Sequence, residues 1–150
     1  MYARTPDSRP AEVQPRPGPP LASAPGPRVL LAAADADAHA VYGPFLEHAG
    51  YALVHASSAG ECVLLAQSQR LAAAVVSVGR HGLLPWSRYS ELARAADEEL
   101  AIICLTTDPR VADADRLPPR ALAVLMLPCE PPELVAELGR VLQARGRRPN

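Results

Sequence analysis

Five apolar runs of strand length stand out along this chain, at residues 29–33, 51–56, 72–76, 100–105 and 121–127. Apart from His55 in the second, the runs contain no polar residue. A strand with one wet face alternates apolar with polar positions; one covered by helices on both faces need not. The runs therefore predict buried strands of a parallel sheet.

Helical spacing fills the gaps. Residues 36–49 place Val41, Phe45, Leu46 and Ala49 on one face, with Asp35 as the N-cap and Gly50 as the residue that closes the helix. Pro44 inside that stretch predicts a bend or a late start. A second helix starts at Ser57 or Ser58, runs to about Gln69 and turns Cys62, Val63, Leu65 and Ala66 inward. A third runs from Pro85-Trp86 to about Ala96, with proline suited to the first turn. Between residues 108 and 119 only a short helix fits, because Pro118-Pro119 ends it. The last helix runs from Glu130 to about Ala144. Five alternations of strand and helix predict an α/β, doubly wound domain with a five-stranded parallel sheet.

The fold is expected over residues 28–145. Residues 1–27 carry eight prolines and few apolar residues, which predicts a disordered proline-rich tail, or a docking segment through Pro15-Arg-Pro-Gly-Pro-Pro20. Residues 146–150 are a basic, frayed end. The tail holds no fold, so output is expected through another chain.

Composition narrows the function. A net charge of −1 gives no reason to expect nucleic acid or an acidic membrane as partner. All 15 basic residues are Arg, which excludes any mechanism needing an ammonium side chain. Cys62, Cys104 and Cys129 show no metal-ligand spacing and read as free thiols of a reducing compartment. No run of about 18 apolar residues and no signal-peptide core are present, so a cytoplasmic protein is expected.

In parallel α/β sheets, chemistry sits just beyond the carboxyl ends of the strands. Ser77 stands at the end of the third run. His81 is four residues on, but a serine nucleophile also needs its base oriented by a third group, and no acid is in view for that. The simpler expectation is that Ser77 satisfies its hydroxyl on nearby backbone and that His81 lies near the surface.

Several segments resemble the receiver domain of bacterial response regulators. They are Arg28-Val-Leu-Leu31 followed by an Asp-containing turn, Glu47-His-Ala-Gly-Tyr51, Cys104-Leu-Thr-Thr107, and Leu127-Pro128-Cys-Glu-Pro-Pro-Glu-Leu134. The last is similar to the family's Lys-Pro-Phe-x-Pro-x-x-Leu segment. The resemblance covers about residues 28–142 and implies sheet order 2-1-3-4-5, with a cis Leu127-Pro128 bond. A working receiver holds Mg²⁺ with two acidic residues and phosphorylates an Asp. A Ser or Thr and a Lys then contact the phosphoryl group, whose charge must be neutralised. By resemblance the acidic pair falls on Ala33 and Ala34, the acceptor on Ser77, the hydroxyl on Thr106 and the Lys on Leu127. The aromatic switch residue falls on Val124. Only Thr106 keeps its chemistry. Asp35 could turn a carboxylate toward the metal, but its simpler role is the helix cap.

The resemblance implies a receiver that signals by binding. It is expected to be neither an enzyme nor a cofactor protein, with a protein partner or a second copy of itself on the side from strand four to helix five. Arg110, Asp113, Arg116, Arg120, Glu133, Glu137 and Arg140 are the candidate contacts there. Two other functions stay open. One is a Mg²⁺-dependent phosphoacceptor at Ser77. The other is a small-molecule site in a hollow lined by Ala33, Ala34, Ser77 and Thr106.

Overall fold

The computed structural model describes residues 26–109 and 117–146, with side chains up to residue 144. The proline-rich segment up to residue 25, and with it Pro15–Pro20, lies outside the described residues, as do Arg110, Asp113 and Arg116.

Five strands form one parallel sheet: β1 (Arg28–Ala32), β2 (Ala52–Ala56), β3 (Ala73–Ser77), β4 (Ala101–Thr106) and β5 (Ala121–Met126). The order is β2-β1-β3-β4-β5, as expected. The helices are α1 (Ala36–His48), α2 (Ala59–Ser68), α3 (Trp86–Ala95) and α4 (Pro131–Gly146). Pairing begins just before the expected boundary, where the Pro27 carbonyl accepts from Ala52 N–H. The Leu127-Pro128 bond is cis.

Successive strand residues point to opposite faces, and here both faces are dry. Leu30, Ala74, Val76, Ile102 and Cys104 pack with Cys62, Tyr89 and Leu92 beneath α2 and α3. Val29, Leu31, Val75, Ile103 and Leu105 pack with Tyr42, Leu46, Leu134 and Leu138 beneath α1 and α4. That explains why the runs do not alternate.

The caps follow the residues. Asp35 accepts from Asp37 N–H at 2.9 Å, and Ser58 accepts from Glu61 N–H at 3.1 Å. The Glu61 carboxylate reaches back to Ser57 N–H at 2.9 Å. At the end of α1, Tyr51 N–H bonds the Leu46 carbonyl and Gly50 N–H bonds that of Glu47, a paired closure that needs Gly50 at φ +104°.

The helix begins at Ala36, as expected, with no late start, and Pro44 sits inside it. The bond proline cannot make is to the Ala40 carbonyl, on an exposed turn where water can replace it. Of the expected inward face only Leu46 is buried, beside Tyr42 and Gly43, whereas Val41 and Phe45, each 48% exposed, and Ala49 face outward. The spacing of the two stripes is identical, one residue apart, and apolarity favours the wrong one. Tyr42 wins because its hydroxyl reaches the Cys129 carbonyl at 2.8 Å while its ring packs in the core.

Candidate functional site

Beyond the carboxyl ends of β1, β3 and β5 lies an open hollow of about 420 Å³. Ala33, Ala34, Leu105, Leu127 and Pro128 form its apolar lining, Val41 and Tyr42 of α1 form one wall, and Asp35, Asp37 and His81 bring charge or polarity to it.

Ser77 lines the hollow but is buried, with 7% of its surface exposed. Its Oγ accepts from Leu83 N–H at 2.9 Å, and its carbonyl accepts from Leu84 N–H. The loop after β3 thus folds back over its end, and Gly82 is what allows this. A Cβ there would lie 2.5 Å from Val78 N. His81 rides on the same loop, exposed. The hydroxyl is satisfied on backbone, as expected.

Thr106 does not line the hollow; Thr107 does. The pleat sends Leu105 to the α1 side and Thr106 to the α3 side. There its Oγ1 accepts from Asp108 N–H at 3.1 Å and would lie 3.1 Å from a Cβ on Gly79. Gly79 is at φ +105°, and its missing side chain also leaves space beside the Trp86 indole. Val124 is half-buried against the α2–α3 core.

A polar pair at the rim escaped sequence reasoning. His39 of α1 bonds the Ala33 carbonyl through Nε2 at 2.8 Å and meets His55 of β2, Nδ1 to Nδ1, at 2.7 Å. One of those two nitrogens carries the proton and the other accepts it. No spacing signal joins residues 16 apart on a helix and a neighbouring strand; only the β1–β2 pairing does.

Among the described residues no group of three or more His, Cys, Asp or Glu is placed to hold a metal ion. Burial holds the pKa of the Tyr42 hydroxyl at about 12, helped by Cys129. Cys62 and Cys104 are also pushed up to about 12 by burial. All three are therefore neutral at physiological pH and poor nucleophiles.

Of the proposed contact residues, Arg120 is used inside the fold. Its guanidinium donates to the carbonyls of Ala93, Ala96, Asp97 and Leu100, closing the end of α3. Arg140 bonds Glu137 on its own helix, and Glu133 is exposed in the first turn of α4.

No protein-family model matches the sequence, and no curated protein does. Solved structures do match. A CheY-like response regulator receiver domain from Methanospirillum hungatei superposes with a TM-score of 0.70 at 19% identity, covering 81% of this chain and 98% of the other. This is the receiver fold. The receiver domain of a sensor histidine kinase from Pseudomonas aeruginosa, with magnesium coordinated in its active site cleft, gives 0.66 at 22% identity over 79% and 98%. The response regulator TrrA of Thermotoga maritima, in complex with Mg²⁺-BeF, gives 0.64 at 16% over 77% and 98%. On the receiver fold the hollow occupies the carboxyl-end cleft. Among the described residues, no helix is long and apolar enough to cross a membrane.

Proposed function

We propose that this domain acts in two-component-type signalling by binding a protein partner, without accepting a phosphoryl group. The observation that carries the reading is the lining of the hollow. Ala33 and Ala34 offer methyl groups where a magnesium site needs oxygens, and Leu127 offers no cation for a phosphoryl oxygen. Asp35 commits its carboxylate to the cap of α1. Among the described residues there is no donor set to match the magnesium that the Pseudomonas neighbour coordinates.

A domain of this kind would belong in the bacterial cytoplasm, as neither an enzyme nor a cofactor carrier. Its partner is a signalling or output protein or a second copy of the chain. The test is intact mass after incubation with a small phosphodonor, with and without Mg²⁺. No adduct is expected. A Mg²⁺-dependent gain of one phosphoryl group, on Ser77 or a nearby Asp, would overturn the reading.

The size of the hollow favours a second reading. About 420 Å³ of mostly apolar space falls in the range of small-ligand sites, roughly 300–1,000 Å³. Ligand-dependent thermal stabilisation, abolished by Ala34→Trp, would mark the domain as a small-molecule sensor.

A further inference from the structure

Two polar groups that line the hollow are unspent, and one apolar side chain there is uncovered. Ser77 is buried, and its Oγ is satisfied as an acceptor by Leu83 N–H, but its own hydrogen meets no acceptor among the described residues. A buried donor without a partner calls for water or a ligand. Asp37, exposed in the first turn of α1, donates its backbone N–H to the Asp35 cap, while its carboxylate accepts from no described residue. Val41 follows one turn on, lines the hollow and is 48% exposed.

We propose that the hollow takes a small organic amine, an apolar body with a protonated ammonium head. The lining selects the class. Ala33, Ala34, Val41, Leu127 and Pro128 offer their carbons to a hydrocarbon body, which gains by leaving water. Asp35 and Asp37 are the acidic side chains in the lining, and no arginine of the described residues is there to oppose them. Asp35 spends one carboxylate oxygen on the cap of α1, which leaves Asp37 to meet the head group. Between apolar walls the field of the two carboxylates reaches further than it would in water. That field repels a carboxylate or a phosphate, so the class excludes anions. A neutral oxygen on the body would take the Ser77 hydrogen.

This class rests on the reading of the hollow as a small-ligand site and deepens it. The two fail separately, because the head group tests the class and filling the hollow tests the site.

The test is thermal stabilisation of the full 150-residue chain at about pH 8, where an ordinary imidazole is neutral. The panel sets an ammonium, a hydroxyl or a carboxylate head in turn on cyclohexylethyl, phenylethyl and methoxyphenylethyl bodies. Each amine is expected to bind at least about fivefold tighter than its alcohol, and the carboxylates are expected to give no shift. The methoxyphenyl amine, which offers Ser77 an acceptor, should bind tightest. Asp37→Asn should bring amine and alcohol level, and Ala34→Trp should abolish the binding of both. Amines no tighter than their alcohols, or an advantage that survives Asp37→Asn, would overturn the class; if Ala34→Trp still abolishes binding, the small-ligand reading stands. Stabilisation that persists in Ala34→Trp, or none from any member at millimolar concentration, overturns both.

Discussion

Gly82 lies flat on the Ser77 peptide: a Cβ at position 82 would stand 2.6 Å from the Ser77 carbonyl carbon and 2.7 Å from its oxygen. These are backbone atoms of a buried strand end, so no side chain can yield. Gly82→Ala must therefore push the loop away and break the Leu83 bond to Ser77 Oγ. A loss of about 2 kcal/mol is expected in urea unfolding. A melt within error of wild type would mean that the loop adapts without cost.

Restoring the acceptor residue should not restore the chemistry. Ser77→Asp returns one carboxylate to a hollow whose Ala33 and Ala34 still provide no oxygen ligands. Intact mass after phosphodonor treatment with Mg²⁺ should show no gain. An adduct on the introduced carboxylate would show that Asp35 or Asp37, which also line the hollow, can stand in for the missing acidic pair.

Arg120 combines two effects that substitution can separate. Its backbone is at φ +69°, a region that costs residues with a Cβ about 1 kcal/mol, and its side chain donates to four carbonyls. Arg120→Ala keeps the strain and loses the clamp, for an expected cost of roughly 3 kcal/mol. Arg120→Gly loses the clamp but relieves the strain, so it should cost about 1 kcal/mol less. Equal losses would show that the backbone strain is negligible.

Alkaline pH should unfold this protein. Burial raises Cys62 and Cys104 from 9.0 to about 12 and Tyr42 from 10.0 to about 12. The raised groups hold their protons more tightly folded than unfolded, so stability is whole below pH 9 and falls as pH climbs toward 12. Urea midpoints should decline across that window, and Cys62→Ala with Cys104→Ala should flatten the decline. Below it, thiol labelling should modify Cys129, which is only half-buried, well before Cys62 and Cys104.

Much of this was legible in the sequence because unbroken apolar runs have one favourable solution, a sheet covered on both sides. The residues 72–76 run, Asp35, Ser58 and Gly50 each carry a local reason for their structure, and each appears where that reason puts it. The inward face of α1 was not legible. Val41–Phe45 and Tyr42–Leu46 have the same spacing, and only the distant Cys129 carbonyl decides between them. The clamp made by Arg120 is hidden for a similar reason. An arginine after a proline pair reads as surface, and the carbonyls that claim it lie 20 to 27 residues back along the chain. The His39–His55 pair likewise exists only once β1 and β2 are side by side.

The methyl groups of Ala33 and Ala34 also change what this domain can measure. A carboxylate pair makes a cleft answer to metal supply and to a kinase. A lining of methyl groups instead rewards apolar surface that can displace water from it.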